Sequence, residues 1–163
     1  KGGRRMTVRN NLCDDINGAK WNGSGFFMKS SDWDGVTIEN NTIINSGNIT
    51  SAYGEPVANF VFRNNIVFEN EYGFKGDGTA PGNNTINKFF PGADVSFNAI
   101  VGGIAARYRP NAQNLYPDSI RLLGFVSPKE GNLALRQDSP LRGKGFQGAN
   151  IGADLDALMF GRK

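Results

Sequence analysis

The sequence contains no histidine, a single cysteine (Cys13) and no long apolar run. Because histidine is missing, a Ser-His-Asp triad and a Cys/His zinc site are both excluded. One cysteine cannot form an internal disulfide, and no stretch reaches the roughly 18 apolar residues of a membrane span. The net charge is only +3, with no block of like charges, which does not predict binding to nucleic acid. We therefore predict no metal site, no membrane span and no nucleic-acid partner.

Long helix-forming runs are absent too, whereas glycine (22 residues) and asparagine are frequent. Phenylalanine (12) far outnumbers tyrosine (4), which indicates that the aromatic residues serve mainly in a core. A chain of 163 residues with 39% hydrophobic residues suits one domain. This composition favours a β-rich domain.

A short segment recurs along the chain, and it carries a marker asparagine at positions 11, 41, 65 and 98. The intervals between the markers are 30, 24 and 33 residues. They become regular if 24 residues make one coil and the two longer intervals contain insertions. The turn-rich segments 19–24 and 76–84 are the candidate insertions, and we predict loops there.

Alternation before each marker predicts a strand with one face inside and one outside. The alternating apolar pairs are Met6/Val8, Val36/Ile38 and Phe60/Phe62. Apolar runs at 42–44 and 66–68 predict a second strand, and 25–28, 49–50 and 73–75 a third. Three strands per coil predict an all-β fold, a parallel β-helix of about four coils.

Paired asparagines mark the bend after the first strand, because asparagine tolerates the left-handed region at low cost. Their amides are expected to hydrogen-bond from coil to coil as a structural ladder. The ladder residues are Asn10, Asn11, Asn40, Asn41, Asn64, Asn65 and Asn98. Phe97 replaces the first asparagine of the last pair, and we expect the ladder to end there. An antiparallel sandwich, with hairpin signals every 8–12 residues, fits this spacing poorly.

The repeat fades after about residue 104, where prolines punctuate an irregular stretch. We predict that residues 1–103 form the coils and that 104–163 form a capping segment of the same domain. A solenoid must cover its exposed last coil, so we expect this segment to pack over that end.

The segments 124–126, 131–135, 138–145 and 149–154 resemble the ending of bacterial right-handed parallel β-helix repeat proteins, a superfamily typified by pectate lyases. With the Arg-Asn-Asn and Glu-Asn-Asn repeats, the resemblance covers nearly all of the chain. It implies a right-handed solenoid and an extracellular or cell-surface location in bacteria, although no signal peptide is visible. The chain opens without a start methionine, so we expect it to be the C-terminal portion of a longer protein.

Hydrolases of this superfamily resemble one another in clustering aspartates near a histidine, and this chain offers only Asp14 and Asp15. Lyases pair calcium-binding carboxylates with a lysine or arginine base. Arg9, Glu39, Arg63 and Ser96 occupy one outward row here, two residues before each marker. We favour a charge ladder that stabilises the sheet. The alternative is a groove for an acidic sugar chain.

Two tryptophans, Trp21 and Trp33, lie in loops rather than on core positions. An exposed indole suits stacking on a sugar, but a loop tryptophan also often folds back onto its own coil. Lys75 and Asp77 are candidates for the border of a cleft. The pairs Asp32/Asp34 and Glu69/Glu71 are weak evidence for a metal.

Three functions remain open. The first is a non-catalytic extracellular module that serves as a scaffold or contacts polysaccharide. The second is the C-terminal part of a polysaccharide lyase, the one case in which calcium is implied as a cofactor. The third is a unit that self-associates through an open N-terminal end with unpaired strand edges. The absence of histidine favours the first.

Overall fold

The structure is a computed structural model, which describes residues 2–156. The described chain is predominantly β, and its parallel strands follow one another in three groups of three and a last group of two. In chain order they are β1 (Arg4–Arg9), β2 (Leu12–Ile16), β3 (Met28–Ser30), β4 (Asp34–Glu39), β5 (Thr42–Asn45), β6 (Thr50–Ala52), β7 (Ala58–Arg63), β8 (Ile66–Phe68), β9 (Phe74–Gly76), β10 (Asp94–Ser96) and β11 (Ala99–Val101). The third strand of each coil begins one to three residues later than the sequence predicts.

Strands of successive coils lie side by side in three sheets. Sheet A has the order β1-β4-β7-β10, sheet B the order β2-β5-β8-β11, and sheet C the order β3-β6-β9. All of these pairs are parallel, and Arg9, Glu39 and Arg63 share one register position. The stacked parallel sheets are compatible with a solenoid.

Both predicted insertions contain a helix as well as turns, so the fold is predominantly β and not strictly all-β. Helix α1 (Gly18–Trp21) lies between β2 and β3, and the Asn17 side chain accepts a hydrogen bond from the Lys20 amide at its start. Helix α2 (Asn83–Phe89) lies between β9 and β10 and buries Ile86 and Phe89. Turn-forming residues surround both helices, and the sequence therefore shows no helix signal. Helix α1 is a single turn, and α2 depends on tertiary packing.

The inner core lies between the three sheets and is rich in phenylalanine. Phe60, Phe62 and Phe74 are fully buried there, and the Phe60 and Phe90 rings lie 4.4 Å apart. Each such side chain stabilises the fold by about 1.5–3 kcal/mol through burial. The alternation in sheet A therefore places its apolar residues inside, as predicted.

The asparagine ladder runs along the inner side of the bend between sheets A and B. Amide-to-amide hydrogen bonds join Asn11 to Asn41 (3.0 Å), Asn41 to Asn65 (2.9 Å) and Asn65 to Asn98 (3.1 Å). The expectation that the ladder ends at Phe97 was wrong, because Asn98 donates in turn to Asn114 at 3.1 Å. Phe97 takes the outer position of its pair and adopts the same left-handed backbone as the asparagines it replaces, with φ of 54°.

The segment after residue 103 does two things. Its first part covers the last coil, with Tyr108 in the inner core and Leu115 bridged to Ala99. Its second part contains an antiparallel pair, β12 (Phe125–Ser127) and β13 (Asn132–Leu135), and covers the outer face of sheet B. This flank packing was not predicted. It follows from the apolar runs in sheet B, which are typical of strands buried on both faces.

Candidate functional site

The three sheets differ in how much of their outer face is available to a ligand. Sheet B is covered by an apolar cluster that includes Leu123, Phe125 and Ile151. Sheet A carries the row of Arg9, Glu39 and Arg63, which pair with one another. Sheet C carries outward lysines and lies between the two insertions with α1 and α2. We therefore take sheet C as the candidate site.

The row on sheet A is the charge ladder favoured by the sequence. Arg9 Nη2 lies 2.7 Å from Glu39 Oε1, and Arg63 Nε lies 3.0 Å from Glu39 Oε2. Both carboxylate oxygens of Glu39 are therefore engaged in ion pairs. The residue is also only 6% exposed. Arg63 also lies over the Phe146 ring, 4.4 Å from its centroid. Carbohydrate contact by these three residues stays a prediction, and the geometry shows them paired with one another in an ionic network.

On sheet C, Lys29, Ser51 and Lys75 occupy one register position on neighbouring strands. Their neighbours in each strand, such as Ser30 and Phe74, are buried, so these three residues form the outward row. Because Lys29 and Lys75 lie on strands separated by one strand, their backbones are about 9.6 Å apart. Within residues 2–156, neither lysine belongs to an ion pair.

Each of these lysines lies beside an aromatic ring. Lys29 Nζ is 5.9 Å from the centroid of Phe26, and Lys75 Nζ is 4.1 Å from that of Tyr72. We call Phe26, Lys29, Ser51, Tyr72 and Lys75 the sheet C patch. Cation–π contact holds each ammonium near a flat apolar ring. The patch therefore combines positive charge with surfaces suited to stacking.

Trp21 ends helix α1, in the insertion that precedes β3 of sheet C, and is 64% exposed. Its indole Nε1 donates to Asp15 Oδ2 at 3.1 Å, and Lys20 Nζ lies 2.5 Å from the same oxygen. These hydrogen bonds, that of Lys20 first, hold the pKa of Asp15 below its usual range. The indole is thus fixed at its polar edge, which orients an exposed ring.

Trp33 has a different environment from Trp21. It is half-buried and packs against the inner core at the first coil. Together with Met6, Met28 and Phe60 it lines a small apolar cavity there. It folds back onto the stack, the alternative that the sequence left open, and its contact with sugar stays a prediction.

The acidic pairs singled out in the sequence do not converge. Glu69 is fully buried, receives a hydrogen bond from the Tyr108 hydroxyl and pairs with Arg107 Nη1 at 3.0 Å. Burial first, and the Glu69 charge second, raise the pKa of Tyr108. Asp32 and Asp34 each accept one hydrogen bond, from the Gly2 amide and the Asn59 side chain.

Glu69 therefore joins the coils to the segment that covers the last coil, through Arg107 and Tyr108. Sequence reasoning missed this network because its partners lie 38 and 39 residues away. Among the described residues, no group of three His, Cys, Asp or Glu side chains is placed to hold a metal ion.

Comparisons of the chain with protein-family models, curated proteins and solved structures gave no match. Nor does any helix among residues 2–156 have the length and apolar character needed to cross a membrane. The candidate site is a basic and aromatic patch on the outer face of sheet C.

Proposed function

We propose that this chain is a non-catalytic, extracellular right-handed parallel β-helix module, similar to the bacterial superfamily typified by pectate lyases, that contacts acidic polysaccharide through the sheet C patch. The observation that carries the proposal is the outward row of Lys29 and Lys75, without ion pairs in the described residues and beside aromatic rings. An acidic sugar chain offers carboxylates to the lysines and apolar ring faces to the aromatic side chains. Trp21 adds an oriented, exposed indole in the neighbouring insertion.

The test is binding of polygalacturonate, alginate and chondroitin sulfate, measured by calorimetry at low and at physiological salt. We expect binding that weakens with salt. We expect the double variant Lys29→Gln/Lys75→Gln to weaken it by about tenfold, since each exposed charge contact contributes about 0.2–1 kcal/mol. The matched control, Lys129→Gln/Lys144→Gln, removes the same charge from exposed positions of the covering segment.

Equal loss in both double variants means that net charge, not the patch, drives binding. No binding to any of the three polymers removes the proposal. The same mixtures with added calcium test the lyase alternative, in which Lys75 acts as the base beside Asp77. Release of unsaturated sugars, followed by their ultraviolet absorbance, would replace the non-catalytic proposal with the lyase, and loss of that release in Lys75→Gln would assign the base.

The second candidate, self-association, rests on the N-terminal end of the stack. There β1, β2 and β3 are all edge strands, and Met6, Val8 and Met28 of the inner core are only partly buried. An open parallel edge is a template for another chain. Sedimentation across a concentration series decides: a mass that doubles supports association, and a constant monomer mass rejects it.

A further inference from the structure

The first asparagine of each pair, which we call the outer asparagine, has a hydrogen-bond partner outside the coils. The outer asparagines are Asn10, Asn40 and Asn64. The Asn64 side-chain oxygen accepts from the Phe146 amide at 2.7 Å, the Asn40 side chain donates to the Asn150 carbonyl at 3.1 Å, and the Asn10 side-chain oxygen accepts from the Asp154 amide at 2.7 Å. These partners belong to one segment, residues 145–155. The segment therefore runs along the bend from the last coils back to the first.

Apolar packing accompanies these hydrogen bonds. Ile151, Ala153 and Leu155 alternate along the segment and are buried against the outer face of sheet B. Further bonds come from the Ala153 amide to Thr42 Oγ1 at 3.0 Å and from the Gly152 amide to the Asn64 carbonyl at 2.7 Å. At the last coil Phe97 replaces the outer asparagine, and its ring lies 5.7 Å from that of Phe146. The segment contacts every coil.

In a stack of repeats each coil contacts only its neighbours. Among residues 2–156, β1, β2 and β3 each have a neighbouring strand on one side only. In this chain we therefore expect them to open locally before the strands of the other coils.

We propose that residues 145–155 are a strap that holds the coil of β1, β2 and β3 onto the stack and slows the local opening of these strands. The strap ties residues 144 positions apart, Asn10 and Asp154. It therefore gives this coil contacts beyond its pairing with β4, β5 and β6. This inference stands apart from polysaccharide binding and holds or fails without it.

The test is hydrogen exchange of single amides in a pair of glycine variants. A Cβ on Gly152 would lie 2.5 Å from Ile66 Cδ1 and 2.9 Å from Thr42 Oγ1, whereas a Cβ on Gly148 meets no atom within 4 Å. Both glycines have positive φ, so Gly148→Ala is matched for backbone strain and leaves the strap seated. We expect Gly152→Ala to speed exchange of the Asn10 and Asn11 amides by about tenfold relative to that of Ile100 in the last coil.

A second pair keeps the proposal testable if Gly152→Ala does not fold. Asn10→Gly removes the side chain that binds the strap but suits the left-handed backbone, and Asn22→Gly makes the same change at another left-handed position away from the strap. Faster exchange in the first coil with Asn10→Gly, but not with Asn22→Gly, supports the strap. Equal acceleration in the first and last coils, or none in either, overturns it.

Discussion

At the scale of single residues, asparagine has two roles at adjacent positions of each bend. The outer residue takes the left-handed backbone and faces the C-terminal segment, as Asn64 does, and the inner residue joins the ladder, as Asn65 does. Asn41, Asn65 and Asn98 of the ladder are fully buried, so each of their amide groups needs a partner. A satisfied row of amides fixes the register of the coils, because a slip would leave buried groups unpaired.

Asn65→Ala tests the inner role. The change leaves the Asn41 amide, the Asn98 side chain and the Ile38 carbonyl each without a hydrogen bond to Asn65. We expect the free energy of unfolding in urea to fall by about 3 kcal/mol or more, since each buried unsatisfied group costs about 1–3 kcal/mol. The control Asn111→Ala, at an exposed position, is expected to stay within about 0.5 kcal/mol. A similar, small loss in both variants would show that the ladder contributes little.

Asp15 and Trp21 give a pH prediction at the same scale. Because the pKa of Asp15 is lowered by its hydrogen bonds to Lys20 and Trp21, the arrangement is present at neutral pH and is lost as the pH falls through that lowered pKa. We expect Trp21 fluorescence, followed in a Trp33→Phe background, to change with a midpoint below the usual aspartate range. Asp15→Asn should abolish the change. A midpoint at or above that range would contradict the geometry.

At the scale of elements, the sheets differ by what lies outside them. Sheet B is buried on both faces, because its outward residues such as Ile66 and Val101 pack under the covering segment. Sheet A carries a row of charges that pair with one another. Sheet C retains an outward row of lysines, and the insertions that contain α1 and α2 border it along the chain. The candidate site is therefore a consequence of which faces the rest of the chain covers.

Ile151→Ala tests whether the covering segment and the coils form one core. Ile151 is fully buried against sheet B, and we expect its truncation to lower the free energy of unfolding by about 2–5 kcal/mol. Val126→Ala, at a position that is 50% exposed in the same segment, should change it by less than about 0.5 kcal/mol. A loss near zero for Ile151→Ala would mean that the apolar cluster outside sheet B contributes little to the stability of the coils.

At the scale of the whole molecule, the described residues assemble a stack without a cluster of three potential metal ligands. Its ionic networks, at Glu39 and Glu69, are held by arginines. The stack is therefore held by apolar packing and by the ladder, and the proposed binding depends on the sheet C patch with Trp21 beside it.

Calcium removal tests this view of the molecule. We expect EDTA, and separately an excess of calcium, to leave the Tm within about one degree of its value in buffer, because a ligand stabilises only by binding the folded state more tightly. Polysaccharide binding should be equally insensitive to EDTA. A Tm that rises with calcium concentration would reveal a cation site and would favour the lyase alternative.

The sequence by itself determined the coil, its inner face and its ladder, because these depend on local rules: alternation in strands and the low cost of left-handed asparagine. It also placed Arg9, Glu39 and Arg63 in one row, since parallel register follows from the repeat. Only the tertiary structure decided which sheet stays open, where Trp33 points, and that Asn114 extends the ladder. Those outcomes depend on contacts between distant parts of the chain, such as the covering of sheet B by residues 119–155, which no local pattern encodes.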